Sequence, residues 1–207
     1  SLKAFYSVLK TQDRYIEFAL LTGVTKFSKV SVFSDLNNLN DISMDRAYAT
    51  ICGITEEEID TCFKDSVEEL ARANGLTIEE TRARLKELYD GYHFTPTSAG
   101  IYNPFSVLCT FSKQEFNNYW FEMSTPTFLA EMLKNFKYRL PDLTKEQVAA
   151  DVLNSIDSTS LNPVPIIYQS GYLTITGYNE RFKRYRLGFP NKEVEEGFLN
   201  FLLPSYA

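Results

Sequence analysis

The chain has 207 residues, 44% of them hydrophobic and 23% charged, with 16 Phe, 13 Tyr and 1 Trp. That balance excludes a disordered chain and provides for a core that needs neither disulfide nor metal. With 21 Lys and Arg against 27 Asp and Glu the formal net charge is −6, which disfavours nonspecific binding along a phosphate backbone except through a local basic patch.

The first residues read as an amphipathic helix over 2–12, because Leu2, Phe5, Tyr6 and Leu9 share one helical face. The start, Ser1-Leu2-Lys3-Ala4, has no Met and no apolar signal core, so a cut or processed chain without a secretory signal is expected. Tyr15–Thr22 (YIEFALLT) is a short apolar run closed by Gly23, the pattern of a buried strand in a parallel sheet. Apolar runs such as Phe18–Leu21 fall far short of the roughly 18 residues a membrane span requires. Lys29–Ser34 reads as a second short strand or a helical turn, and Asn37–Asp41 as a turn.

The middle of the chain is helical. Thr55 with Glu58 and Thr77 with Glu80 are capping boxes, each opening a run of helical apolar spacing; Asn74-Gly75 stops the first. Glu56-Glu57-Glu58 suits the first turn of a helix dipole better than a metal. Asp90-Gly91 marks a turn. Asn103-Pro104 is a cap with proline at the first helical position, opening a helix to about Phe111. Phe128, Leu129, Met132, Leu133 and Phe136 define a further helix after Thr125-Pro126.

The last part changes character. Pro163–Gly171 reads as a short helix. Tyr172–Thr176 and Phe182–Leu187 alternate as strands around a turn at Gly177–Glu180, and Pro190 opens a last helix. Helix, hairpin, helix is the order at the end of a winged-helix unit. Arg181, Lys183, Arg184 and Arg186 place four cations within six residues of the wing. Strand alternation splits Lys183 from Arg184 across two faces, and a solvated hairpin competes with a nucleic-acid contact.

Several chemistries are missing. No Gly is followed by Lys, so no GxxxxGK[ST] phosphate loop exists, and GxGxxG, GxSxG and HExxH are absent. No acid stands two residues before a Lys, which removes the acid-x-Lys element of many metal-dependent nucleases. Cys52, Cys62 and Cys109 are widely spaced and His93 is the single histidine; no metal site is expected, and buried, reduced thiols in a cytoplasmic protein are. His93 reads as a hydrogen-bonded turn residue rather than an acid or base.

Leu21-Thr22-Gly23-Val24-Thr25-Lys26-Phe27-Ser28-Lys29-Val30 and Phe33-Ser34-Asp35-Leu36-Asn37-Asn38-Leu39 resemble the bacterial AAA-ATPase-like proteins, a family of predicted P-loop ATPases. So do Tyr89-Asp90-Gly91-Tyr92-His93-Phe94, Tyr102-Asn103-Pro104-Phe105-Ser106, Tyr119-Trp120-Phe121, Tyr168-Gln169-Ser170-Gly171-Tyr172-Leu173 and Leu187-Gly188-Phe189-Pro190-Asn191. The resemblance implies a phosphate loop and Walker B strand ahead of this chain, and a nuclease-like domain after the part matching Pro204. It makes the chain a fragment that is not catalytically competent alone. Its implied fold is α+β and mainly helical: residues 1–45 from the ATPase core with the sensor strand, 46–155 a helical lid, and 156–207 a winged-helix-like domain.

By the same resemblance, Thr22 and Thr25 take a sensor-like position at the carboxyl end of YIEFALLT, where ligands of open α/β sheets sit. Either hydroxyl would meet the γ-phosphate or attacking water, and Lys26 would neutralise phosphate charge. ATP and Mg are implied for the intact parent and no cofactor for this piece. A simple strand-end turn at Thr22-Gly23 is the alternative. A tyrosine or phenylalanine of the motifs Tyr89–Phe94 and Tyr102–Ser106 either stacks on adenine or, the stronger reading, packs in a core. A winged-helix module binding nucleic acid or protein through Arg181, Lys183, Arg184 and Arg186 is the alternative function.

Overall fold

The computed structural model describes residues 8, 11–23, 40–123, 147–154 and 162–206. Of the expected helix at 2–12, Val8 and Thr11 are described and helical. The elements expected at Lys29–Ser34 and Phe128–Phe136, and most of the turn at Asn37–Asp41, lie outside the described residues.

Both capping boxes form. Thr55 opens α1 (Glu56–Thr61) and Thr77 opens α3 (Ile78–Tyr89). In each, the threonine hydroxyl accepts the N–H of the glutamate three residues on, whose carboxylate accepts the threonine N–H in return. Those backbone bonds hold the Glu58 and Glu80 carboxyls below their ordinary range. Between them α2 (Lys64–Asn74) ends on Gly75, which adopts φ 65° and returns its N–H to the last turn. Asn103 caps α4 (Pro104–Lys113), its Oδ1 accepting the N–H groups of Phe105 and Ser106.

These helices enclose a first apolar cluster of Ile59, Val67, Leu70, Leu85, Tyr89, Tyr102 and Val107. Completely burying a side chain such as Leu70 or Leu85 contributes about 1.5–3 kcal/mol. Across the surface between α1 and α3, Lys86 Nζ meets Glu56 Oε2 at 2.5 Å, and Arg82 pairs with Asp60. Tyr102 donates its hydroxyl to the same Glu56 oxygen at 2.9 Å. Burial works to raise the Glu56 carboxyl, but the bonds from Lys86 and Tyr102 outweigh it and the net is a lowered value.

A second cluster is built on a three-stranded antiparallel sheet. After α5 (Tyr119–Met123) come β1 (Gln147–Val148), α6 (Ala150–Asn154), α7 (Val164–Gln169), β2 (Thr174–Asn179), β3 (Arg184–Gly188) and α8 (Lys192–Tyr206). The strand order is β1-β3-β2, so β3 is central. Val148, Leu153, Val164, Ile167, Ile175, Leu187 and Phe198 fill the space between sheet and helices. The fold is α+β. Val148 and Leu153, which precede residue 156, pack in this cluster rather than with α1–α4.

The hairpin turn sits three residues later than the alternation pattern predicts. Tyr178 pairs with Tyr185, ring centroids 4.8 Å apart, and this pair extends β2 through Gly177 to Asn179. The turn instead spans 180–183, where Lys183 takes φ 50° and Asn179 Oδ1 accepts the Phe182 N–H. The thiols also differ from expectation: Cys52 and Cys62 are exposed and Cys109 is half-buried. Cys62 falls at the C-cap of α1 and Cys109 next to the outward Leu108 on α4, positions the clusters do not reach. Among the described residues no helix is long and apolar enough to cross a membrane.

Gly91 (φ 112°) approaches the segment after the last strand so closely that an added Cβ would stand 2.0 Å from the Pro190 carbonyl oxygen. At Gly75 an added Cβ would meet nothing within 4 Å. Gly75→Ala should therefore cost about 1 kcal/mol, from backbone strain alone, and Gly91→Ala about 3 kcal/mol or more, because strain adds to displacement of backbone. Urea denaturation of the two variants checks this; equal losses would contradict it.

Candidate functional site

The expected strand at Tyr15–Thr22 is not one in this chain. Asp13–Tyr15 is a 3₁₀ turn and residues 16–23 carry neither helix nor strand. The reason is the lack of a neighbouring strand among the described residues, since an extended run buries both faces only inside a sheet. Its side chains are exposed instead: Phe18 is 81% and Leu20 56% accessible, and Tyr15 and Leu21 are exposed too. Thr22 follows them into solvent and makes no hydrogen bond among the described residues. Thr25 and Lys26 lie outside the described residues. Of the three, Thr22 alone is described, and it is exposed.

The wing cations do gather. Arg184 and Arg186 sit two residues apart on β3 and share the outer face of the sheet, opposite Asn179 and Gly177 on β2. Tyr185 and Leu187 face the core side. The Arg186 side chain lies over Gly177, whose missing Cβ leaves the room: an added one would stand 2.5 Å from Nη2. Lys183 and Arg181 belong to the turn, so Lys183 is not on the opposite strand face as alternation predicts. Arg181 stacks its guanidinium 5.3 Å from the Phe182 ring centroid, and Phe182 is 63% exposed. Among the described residues none of these four cations makes an ion pair.

A third feature was not foreseen. Glu193, in the first turn of α8, has no exposed surface. Its Oε2 accepts the Ser106 hydroxyl of α4 at 2.7 Å, and its Oε1 accepts the Trp120 N–H of α5 at 2.8 Å. The Phe121 N–H bonds it as well. One carboxylate thus caps α5 and ties α4 to α8. Burial pushes the Glu193 carboxyl above its ordinary 4.5, although these bonds work to lower it. The nearby Tyr92 hydroxyl is raised by burial and by the Glu193 charge; it lies toward Asn103 without completing a hydrogen bond. Glu193 and Gly197 stand four residues apart on one stripe of α8. An added Cβ at Gly197 would stand 2.3 Å from the Phe121 ring, so α8 meets α5 at closest range there.

The leading tyrosines of the two aromatic motifs, Tyr89 and Tyr102, pack rather than offer faces to a ligand. Tyr89 and Tyr102 are completely buried. Tyr89 accepts the Thr110 hydroxyl and the Asn117 N–H and donates to the Asn117 carbonyl, and burial pushes its hydroxyl up to about 12. That removes both rings from adenine stacking, for which a free face is needed; Phe105 is the exposed member of the second motif. His93 is a clasp, its N–H donating to Thr174 Oγ1 at 2.7 Å while that hydroxyl donates to the His93 carbonyl at 3.1 Å.

Comparison with known proteins bears on the N-terminal segment. Residues 1–33 match the AAA-ATPase-like family model, described as a predicted AAA-ATPase. The chain is 40% identical over 208 aligned residues to a protein of Azotobacter chroococcum mcd 1, described as an uncharacterized protein in the vnfD 5' region. The alignment takes in 99% of this chain and 38% of that protein, so the chain spans less than half of the relative's length. No solved structure matches the chain.

Glu193→Ala strands three buried donors and should cost about 3 kcal/mol or more, whereas Glu193→Gln keeps an acceptor for the α5 amides and should cost far less. The pH dependence has a fixed sign. A carboxyl raised on folding binds its proton more tightly in the folded chain, so its favourable share is complete below the ordinary 4.5 and is lost as pH rises through the folded value. Wild type should therefore lose stability relative to Glu193→Gln as pH rises from about 4 to 7. Parallel urea titrations across that range measure it; a gap that stays constant would contradict the assignment.

Proposed function

We propose that this chain works within an AAA-like ATPase as its sensor-strand, helical-lid and wing-bearing portion, while a phosphate loop elsewhere in the same polypeptide holds Mg-ATP. The carrying observation is the exposed apolar run at Tyr15–Leu21 inside the segment that matches the predicted AAA-ATPase family. An apolar run with the pattern of a central strand, left in solvent and without a partner strand among the described residues, suits a strand completed by other sequence. Paired into a parallel sheet, it would carry Thr22, Thr25 and Lys26 to the strand's carboxyl end, where nucleotides sit. There a threonine hydroxyl would orient the attacking water or the γ-phosphate, and Lys26 would offset its charge.

Two further features favour the same division of labour. The sequence holds no GxxxxGK[ST] loop of its own. In the distal part, a strand, two short helices and a hairpin, with the first strand pairing β3, follow the order of a winged-helix unit. The Glu193 bonds then connect that unit to the helices that would form the lid, so a shift at one is passed to the other through α8.

Calorimetric titration of the 207 residues with Mg-ATP should give no binding in the low micromolar range, and tight binding would overturn the proposal. In the full translation product of the gene, Thr22→Ala should lower ATP turnover about a hundredfold, the usual cost of losing one donor to developing charge, with ATP affinity kept. Unchanged turnover in both Thr22→Ala and Thr25→Ala would remove the sensor role.

A further inference from the structure

We infer that the β2–β3 ribbon is a docking surface for the backbone of duplex DNA. The inference stands on the ribbon alone and not on the ATPase reading. From Thr174 to Gly188 the sequence carries four cations and one acid, Glu180, in a chain whose net charge is −6. Charge of that sign concentrated on one projecting element is the footprint of a phosphate contact. In many solvated surfaces such cations are balanced by neighbouring carboxylates. Here Arg181, Lys183, Arg184 and Arg186 have no acidic partner among the described residues.

The shape selects the partner. Arg184 and Arg186 are ~6.7 Å apart by strand geometry, about two phosphate steps along the axis of one DNA strand. Arg186 pairs with Gln147 of β1 in the three-stranded part, and beyond Tyr185 one further pair, Asn179 with Arg184, and the turn at 180–183 form a narrow tip. That tip, carrying Arg181, Lys183 and Arg184, fits the major groove of B-DNA, which is wide enough for two strands, whereas the deep, narrow major groove of A-form RNA shuts it out. The exposed Phe182 at the tip adds an apolar face beside Arg181. The acidic first turn of α8 follows the opposite end of β3, away from the tip.

The contact reads the backbone rather than bases. The helix preceding the hairpin, α7, has the sequence VPIIYQ with no cation, and Val164, Pro165 and Ile167 are buried. Its one side-chain amide, Gln169, donates to the Leu153 carbonyl and is engaged inside the protein rather than presented to base edges. Unrelated duplex sequences should therefore bind alike.

The test uses the 207-residue chain and fluorescein-labelled mixed-sequence duplex DNA, with anisotropy followed over a salt series. Binding at low salt is expected. Arg184→Ala with Arg186→Ala should weaken it at least tenfold. The same pair should flatten the slope of log affinity against log salt by about 2, close to 0.9 for each phosphate no longer neutralised. Arg184→Lys with Arg186→Lys should keep the slope, and both double variants should melt as the parent does, since the side chains are exposed. Absence of binding at low salt, or affinity and slope unchanged in the alanine variant, would overturn the inference. So would tighter binding of an RNA duplex of the same sequence, or of polyglutamate, which would make the ribbon's partner an RNA or an acidic protein. ATP titration plays no part in these outcomes.

Discussion

Glu193 is a carboxylate with no exposed surface, and the arrangement of both apolar clusters depends on it. Burying a charge is costly unless every lone pair finds a donor. Here the donors come from two other helices: the Ser106 hydroxyl from α4 and the Trp120 and Phe121 amides from the start of α5. Those amides have no partner inside their own short helix, so the carboxylate and the helix terminus satisfy one another. Apolar contacts tolerate sliding; a carboxylate with directional donors does not. The bond set therefore fixes how the α1–α4 helices sit against the sheet and α8.

The aromatic motifs serve the same junction. Tyr89 threads its hydroxyl into Thr110 and Asn117, joining the end of α3 to α4 and to the loop before α5. On the other side Trp120, Phe121, Tyr172 and Phe198 form a chain of tilted and edge-on rings with centroids 5.2–6.5 Å apart. Such pairs add to area burial through their quadrupoles. Between the two, Gly91 touches Pro190 and His93 clasps Thr174, so the Asp90-Gly91-Tyr92-His93 turn is stitched to the sheet by backbone-level contacts. Aromatic content that suggests ligand stacking is used here to lock elements far apart in sequence.

What the junction leaves outside is as informative as what it holds. The Tyr15–Leu21 run and the tip of the β2–β3 ribbon both project from the packed region, one apolar and one cationic. A large apolar side chain in water forgoes roughly 1.5–3 kcal/mol of burial, and cations without counter-charges raise the local potential. Surfaces of this kind are retained for contacts with other molecules or other sequence. The Glu193 bonds join the sheet-bearing part that carries the ribbon to the helices of the first cluster.

Local chemistry was readable from the sequence alone. The capping boxes at Thr55 and Thr77, the αL stop at Gly75, the Asn103-Pro104 start and the existence of a terminal hairpin all rest on interactions within a few residues, so neighbours in sequence suffice to specify them. Tertiary structure decided everything whose partner is distant. The hairpin register followed the Tyr178–Tyr185 pair and the room above Gly177, not alternation. The fate of YIEFALLT depended on strands that no described residue supplies, because a strand is defined by its neighbour. Glu193 looked like any surface glutamate beside Glu195 and Glu196; only the approach of α4 and α5 turned it into a buried ligand for three donors, since burial is a property of what packs above a residue and not of the residue itself.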